Sequence, residues 1–211
     1  MRNLPNLLSL SRLLATVIVF ILVLINQPWA FLLATLLFFL ASVTDFLDGY
    51  LARRYQVTSS LGVFLDLTAD KVFVSALLIA MVQIGLVPAW IVFVIVTREF
   101  LVTGLRSMAA AKGRVIPAGI WGKQKTFITL VAMGALLLAK GLGAHQLSSL
   151  FPLRLAFNSQ TLVPAELLLL LADTLLILAV IWTAFSGIEY MIGALPLFQD
   201  EGEASKSDSG A

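Results

Sequence analysis

The chain contains no cysteine and a single histidine, and only 12% of its 211 residues are charged. The absence of cysteine excludes a disulfide framework and a thiolate metal site. Any metal ion would therefore have to be bound by oxygen atoms or by His145. The net charge is only +2, and we expect no nucleic-acid partner. The charged fraction is about half of the roughly 25% that is usual in soluble domains.

Apolar residues make up 60% of the chain. They form several runs that reach the ~20 residues with which an α-helix crosses a bilayer. Because only helices satisfy their own backbone hydrogen bonds within such a run, helices are the expected spanning elements. The sequence predicts an all-α integral membrane protein with six transmembrane helices, at about residues 7–26, 31–52, 62–83, 88–110, 122–141 and 164–192.

The composition predicts one membrane domain over residues 1–196. The longest connection within it is the segment 142–163, which we expect to pack at the membrane interface. After Pro196 the sequence becomes QDEGEASKSDSGA, which is too polar to bury a hydrophobic face. We therefore expect residues 197–211 to form a disordered acidic tail on the cytoplasmic side.

The basic residues predict the orientation, because Lys and Arg accumulate on the cytoplasmic side of membrane proteins. With the N-terminus inside, twelve of the fourteen basic residues lie in or toward the cytoplasmic half, and only Lys140 and Arg154 lie on the other side. This distribution predicts that both termini are cytoplasmic. It also puts the end of the second span and the start of the third at the cytoplasmic face.

Four aspartates lie in these two segments. Asp45 and Asp48 are three residues apart, and Asp66 and Asp70 are four apart, so each pair occupies one face of its helix. The short link between the spans favours antiparallel neighbours, which would let the two pairs face each other. The spacing therefore predicts a cluster of four carboxylates.

Such a cluster needs compensation, since an acid near the membrane centre costs about 2.5–3.5 kcal/mol on insertion scales. Two hard divalent cations would cancel the charge, and ligation by oxygen alone points to Mg²⁺, Mn²⁺ or Ca²⁺. A pair of such ions is a common clamp for displacement at phosphorus. The alternative is a set of ion pairs with Arg53, Arg54 or Lys71, or a solvated helix end.

Small residues accompany the acids. Gly49 and Gly62 each cost about 1 kcal/mol in a helix relative to alanine, yet they lie at the level of the acids. The missing side chains leave room for a ligand near the backbone. Ala52 is also small, and Arg53 offers a planar cation suited to phosphate.

Together these residues form the pattern Asp45-x2-Asp48-Gly49-x2-Ala52-Arg53-x8-Gly62-x3-Asp66-x3-Asp70. The pattern resembles, at every fixed position, the signature of the CDP-alcohol phosphatidyltransferase family. These integral membrane enzymes move a phosphatidyl group from a CDP-linked lipid to an alcohol. The family context of two adjacent transmembrane helices is also predicted here.

The resemblance implies roles for individual residues. Asp45, Asp48 and Asp66 would bind two divalent cations, Mg²⁺ or Mn²⁺, with Asp70 close to the metals and acting as the general base. The CDP-lipid would be bound by a set of mostly small residues: Thr44, Gly49, Ala52, Arg53 and Gly62. The family also implies a homodimer in the cell membrane, with a multi-pass chain and an active site that faces the cytoplasm.

Three further segments, NLPNLLSLSRLL, TREFLVTGLRSMAAAKG and WGKQKT, resemble the phosphatidylglycerophosphate synthases within the family. Those members transfer the phosphatidyl group from CDP-diacylglycerol to sn-glycerol 3-phosphate. The segments carry four cations that could hold the acceptor's phosphate: Arg98, Arg106, Lys123 and Lys125. In the alternative interpretation Arg98 pairs with Glu99 or an aspartate, and the lysines reach out to anionic lipid.

The expected function is therefore synthesis of phosphatidylglycerophosphate and CMP in phospholipid biosynthesis. One alternative is an enzyme of the same family with inositol phosphate, serine or phosphatidylglycerol as acceptor. A divalent-cation transporter is a more remote one, because the far halves of the second and third spans carry no ionisable group that could continue an ion path.

Overall fold

A computed structural model of the chain describes residues 4–55, 60–113, 120–144 and 164–208. Side chains are described for residues 10–44, 68–113, 122, 124–144 and 164–193. Within the described residues all regular structure is helical and there is no strand. The six helices are α1 (Leu4–Ile25), α2 (Pro28–Tyr55), α3 (Ser60–Gln83), α4 (Ala89–Ala111), α5 (Ile120–Gly141) and α6 (Pro164–Asp208).

The prediction of an all-α fold with six helices is confirmed. Helices α1 to α5 begin and end within three residues of the predicted bounds. Proline and glycine mark the turns between them: α2 begins at Pro28, and Pro88 is the N-cap of α4. After α3 the chain turns at Gly85, whose φ of 72° is readily adopted by glycine. The Leu86 amide then donates to the Met81 carbonyl at 2.8 Å, which closes the end of the helix.

The structure differs from the expectation at the end of the chain. Helix α6 continues through Pro196 to Asp208, so residues 197–208 have helical backbone where the composition predicted disorder. Several residues of this segment, among them Glu201, Glu203 and Ala204, are strong helix formers, and they extend a helix that is already nucleated. Most of the predicted connection 142–163, including His145, lies outside the described residues.

The helices pack as one bundle. Helix α1 packs against α2 and α3, α5 packs against α2 and α6, and α4 packs against α6 and α3. The apolar core fills the space between them. Its largest fully buried side chains include Phe31, Leu77, Met81, Ile95, Met133, Leu136 and Leu176.

The outer surface is also apolar. Large hydrophobic side chains are exposed on every helix, for example Leu14, Phe39, Ile79, Phe93, Phe127 and Phe185. Among the described residues, only the Pro164–Gly193 part of α6 is long and apolar enough to cross a membrane. The segments Leu10–Ile25 and Pro28–Thr44 are shorter apolar helices. Helices α3, α4 and α5 are interrupted by charged residues such as Asp70, Arg98 and Lys125.

Toward one end of the bundle the helices are connected by contacts between charged or polar side chains. We call this the polar end. It is defined by six side chains, from the first half of α1, α3 and α5 and from near the middle of α4 and α6: Arg12, Asp70, Arg98, Glu99, Lys125 and Ser186. At the opposite end the packing is close and apolar, as where Gly141 of α5 meets Leu32 of α2. The fold thus brings these six side chains to a similar level of the bundle.

Candidate active site

The residues of the aspartate motif fall on the two helices that the sequence predicted. Asp45, Asp48, Gly49, Ala52 and Arg53 belong to α2, and Gly62, Asp66 and Asp70 belong to α3. The structure describes the side chain of Asp70 and that of Thr44. The other motif side chains, and that of Lys123, lie outside the described side chains. Thr44 donates its hydroxyl hydrogen to the Leu40 carbonyl of its own helix at 2.6 Å.

Two phenylalanines show that α2 and α3 touch beside the motif. The rings of Phe38 and Phe73 stack with their centroids 5.4 Å apart and an angle of 14° between their planes. Both side chains are buried. Offset stacking of this kind contributes about 0.5–1.5 kcal/mol beyond area burial. The stack joins the two helices that carry the aspartates.

Asp70 forms an ion pair with Arg12 of α1. The Arg12 side chain is 5% exposed, whereas that of Asp70 is 45% exposed. The arginine is thus buried behind the carboxylate, and the carboxylate is accessible from the other side. A buried guanidinium with a carboxylate partner restricts the rotamers of that carboxylate, because its donors are arranged in a rigid plane.

A cavity of about 80 Å³ lies between α3, α4 and α5 at the polar end. Asp70 lines it together with Lys71, Glu99 and Lys125, and Thr126 and Thr129 add hydroxyl groups. The lining also includes the apolar side chains of Val74, Ile95 and Val96. The cavity therefore puts a half-exposed carboxylate and two lysines around one small volume.

Glu99 connects the cations of α4 and α5. Its carboxylate accepts a hydrogen bond from Arg98 Nη1 at 3.1 Å and forms an ion pair with Lys125. Lys125 is only 4% exposed in that pair. A lysine that extends to lipid headgroups would have its ammonium group at the surface, so this burial does not fit the alternative interpretation for Lys125. The contact between Arg98 and Glu99, by contrast, is the pairing that the alternative interpretation anticipated.

Helix α6 supplies two further partners to the α4 arginines. Arg98 donates a hydrogen bond to the Ser186 hydroxyl, and both Arg98 and Arg106 lie over the Tyr190 ring, at 5.4 and 5.3 Å from its centroid. Arg98 Nε is buried and has no hydrogen-bond partner among the described residues. Such a donor is costly to leave unpaired, by about 1–3 kcal/mol.

Comparison with known proteins shows the family of the chain. A profile of the CDP-alcohol phosphatidyltransferase family matches residues 2–185. The chain belongs to this family. It is 40% identical over 203 residues to CDP-diacylglycerol--glycerol-3-phosphate 3-phosphatidyltransferase of Bacillus subtilis, an alignment that covers 90% of this chain and 94% of the relative.

Two other relatives have similar names. The protein of that same name from Rickettsia bellii is 40% identical over 64% of this chain and 75% of its own length. A probable phosphatidylglycerophosphate synthase of Mycobacterium tuberculosis is 41% identical over 64% of this chain and 66% of its own length. The predicted family is therefore confirmed. CDP-alcohol phosphatidyltransferases are membrane-bound and generally depend on divalent metal ions.

In this CDP-alcohol phosphatidyltransferase, the residues proposed as metal ligands carry the right chemistry for such ions. Carboxylate oxygens are the ligands that Mg²⁺ and Mn²⁺ prefer, and four aspartates occupy α2 and α3 at one-turn spacing. Among the described residues no group of three potential metal ligands occurs. The side chains of Asp45, Asp48 and Asp66 are not among those that the structure describes.

Three residues that contact predicted site residues were not anticipated from the sequence. Arg12, Ser186 and Tyr190 each touch a predicted site residue, yet none was assigned a role. For Arg12 a signal existed, because a basic residue inside an apolar helix needs a partner. Ser186 and Tyr190 carry no comparable signal, since a serine and a tyrosine near the end of an apolar helix are common.

Proposed function

We propose that the chain transfers the phosphatidyl group of CDP-diacylglycerol to sn-glycerol 3-phosphate, giving phosphatidylglycerophosphate and CMP. The relatives described above bear the names of this activity. The observation that carries the proposal is the cavity between α3, α4 and α5, because Asp70 and Lys125 line it together. The acceptor has a hydroxyl group, which needs a base, and a phosphate, which needs a cation. One small cavity that presents both groups would hold such an acceptor in position for reaction.

In the proposed reaction, the acceptor hydroxyl oxygen forms a bond to the phosphorus that carries diacylglycerol. The bond from that phosphorus to CMP breaks, and CMP leaves with the electron pair. Asp70 accepts the proton of the hydroxyl. Its half-exposed carboxylate borders the cavity, and Arg12 holds it from behind. A general base needs this combination of access and fixed orientation.

Asp45, Asp48 and Asp66, together with Asp70, are the residues that would hold two divalent cations, Mg²⁺ or Mn²⁺. Bound there, the ions would polarise the diphosphate of the lipid donor. The register of the two helices supports this assignment. Asp45 follows Phe38 by seven residues and Asp66 precedes Phe73 by seven residues. Since seven residues are close to two helical turns, both acids continue the face on which the two rings stack.

The CDP-lipid would be bound by Thr44, Gly49, Ala52, Arg53 and Gly62. The three small residues leave the backbone accessible, and Arg53 would pair with phosphate. The acceptor's phosphate would be bound by Arg98, Arg106, Lys123 and Lys125. Support comes from Arg98 Nε, which is buried without a hydrogen-bond partner among the described residues, and from Lys125, which lines the cavity beside Asp70.

We further propose a multi-pass protein of the cell membrane, with both termini and the active site cytoplasmic, which functions as a homodimer. The exposed apolar side chains on all six helices support several spans, because soluble proteins rarely expose apolar surface so extensively. The chain has no cysteine, so single cysteines report the topology directly. Ser207→Cys should react with an impermeant thiol reagent only from the cytoplasmic side, and Leu142→Cys only from the other side.

The function is tested with purified protein by measuring CMP release from CDP-diacylglycerol. We expect release with glycerol 3-phosphate and none with inositol phosphate, serine or phosphatidylglycerol. The lipid product should be identified by mass spectrometry. Turnover with another acceptor in preference to glycerol 3-phosphate would replace the proposed substrate but keep the family. Absence of CMP release with every acceptor would contradict the proposed function.

A further inference from the structure

One tyrosine ring contacts two arginines. Arg98 and Arg106 are eight residues apart on α4, a little over two helical turns, and the side chains of both reach the same ring. Their guanidinium carbons lie 5.4 and 5.3 Å from the centroid of the Tyr190 ring on α6. Tyr190 itself is only 5% exposed. The ring is thus fixed within the bundle and contacts both cations.

This arrangement brings like charges together. Two guanidinium groups on one ring repel each other, while the negative face of the ring attracts each of them. The carboxylate of Glu99 is already shared between Arg98 and Lys125. No ion pair of Arg106 with a described carboxylate is present. Glu189 lies near Arg98, so it is Arg106 that retains a positive charge for an anion to neutralise.

Helix α6 is shaped to hold Arg98 in this position. Ser186 accepts a hydrogen bond from the guanidinium, and a Cβ added at Gly187 would lie 3.2 Å from Arg98 Cγ. A Cβ at Gly122 of α5 would lie 3.8 Å from Arg98 Nη2. The missing side chain at Gly187 lets the arginine stem lie against the α6 backbone. Arg98 is consequently fixed by α5 and α6, whereas Arg106 is exposed and contacts the ring.

We propose that Tyr190 is a positioning residue that holds Arg98 and Arg106 side by side as a two-pronged site for the phosphate of the acceptor. The inference rests on the proposed function, because it names the residue that sets acceptor affinity. Tyr190 does not touch the reacting atoms in this account. It acts through the two arginines, by the contact of its ring with both guanidinium groups.

Three variants of the full-length protein test the proposal: Tyr190→Phe, Tyr190→Trp and Tyr190→Leu. Phe and Trp keep an aromatic face, whereas Leu removes it. We expect KM for glycerol 3-phosphate to rise about tenfold in Tyr190→Leu and to stay within about twofold of the parent in the aromatic variants. KM for CDP-diacylglycerol should stay unchanged in all three, which a general loss of structure would not produce.

An isosteric series covers the case in which Tyr190→Leu does not fold. Replacing Tyr190 with phenylalanine analogues that carry increasing numbers of fluorine atoms weakens the negative ring face without removing its shape. KM for glycerol 3-phosphate should rise stepwise with fluorination. A flat series, or a rise in Tyr190→Phe equal to that in Tyr190→Leu, would overturn the role of the ring. Failure of the parent protein to use glycerol 3-phosphate would instead contradict the proposed function.

Discussion

Arg12 on α1 and Asp70 on α3 form an ion pair whose two members differ in exposure, at 5% and 45%. They are 58 residues apart in sequence. The buried arginine has a planar array of donors, and the exposed carboxylate faces the cavity at the polar end. The pair therefore connects the first helix of the bundle to the proposed general base.

Replacing Arg12 should impair turnover more than binding. In Arg12→Met the carboxylate loses its fixed partner, and we expect kcat to fall about tenfold to a hundredfold, part of the 10²–10⁴ that a positioned base contributes. Arg12→Lys keeps the charge and should retain more activity. Steady-state kinetics of CMP release for both substrates measures this, with Lys140→Met as the control cation at the other end of α5. A lower melting temperature with unchanged kcat would limit Arg12 to a structural role.

Asp70→Asn should abolish turnover while the protein still binds its lipid donor. The amide has the same shape but cannot accept the proton, so we expect kcat to fall by about 10² to 10⁴. Donor binding is measured by the thermal shift that CDP-diacylglycerol produces in detergent. Asp173→Asn, which removes another acid from an apolar helix, should remain active. An active Asp70→Asn enzyme would refute the assignment of Asp70 as the base.

Arg106→Ala should weaken binding of the acceptor, glycerol 3-phosphate, and leave binding of the lipid donor unchanged. Loss of a hydrogen bond to a charged group costs about 1.5–3 kcal/mol, so KM for glycerol 3-phosphate should rise roughly ten- to a hundredfold. KM for CDP-diacylglycerol should change little. Lys140→Ala is the matched control, since it removes a cation fifteen residues beyond Lys125 on α5. Equal increases in both KM values would remove Arg106 from the acceptor site.

The helices and their ends were predictable because they depend on local sequence. Long apolar runs set the helix bodies, and residues such as Pro28, Gly85 and Pro88 set the turns. The motif acids could also be assigned to α2 and α3, since spacing fixes their faces. The end of α6 was not predicted, because polar composition alone does not distinguish a disordered tail from a continuing helix.

The contacts between distant helices could not be read in the same way. Arg98 and Ser186 are 88 residues apart, and their contact depends on the packing of α4 against α6. The sequence predicted a phosphate-binding role for Arg98 and offered Glu99 as an alternative partner. In the structure Arg98 contacts Glu99 and Ser186, and its Nε is unpaired among the described residues. The pairing with Glu99 that the sequence offered therefore does not use every donor of Arg98.

Removal of divalent ions should stop the reaction. Chelation should abolish CMP release, and Mg²⁺ or Mn²⁺ should restore it, because carboxylates that share a site repel each other without cations. Asp45→Asn should lower both activity and the number of Mn²⁺ ions bound, measured by electron paramagnetic resonance. Glu166→Gln, at the first turn of α6, serves as the control. Full activity in excess chelator would contradict the metal assignment of the aspartates.

Gly141 should be essential for the packing of α5 against α2 at the apolar end of the bundle. A Cβ at this position would lie 2.8 Å from Leu32 Cδ2 and 3.1 Å from the Leu32 backbone nitrogen. The side chain of Leu32 can rotate, but its backbone cannot move without shifting the start of α2. We therefore expect Gly141→Ala to destabilise the protein by about 1–3 kcal/mol.

The control for this change is Gly193→Ala, because no atom lies within 4 Å of a Cβ added there. Alanine is the better helix former by about 1 kcal/mol, so this variant should be neutral or slightly stabilised. Thermal unfolding in detergent compares the two variants with the parent protein. Equal melting temperatures for Gly141→Ala and the parent would mean that α5 and α2 can separate at this contact without loss of stability, and that the close approach of Gly141 to Leu32 does not hold the apolar end together.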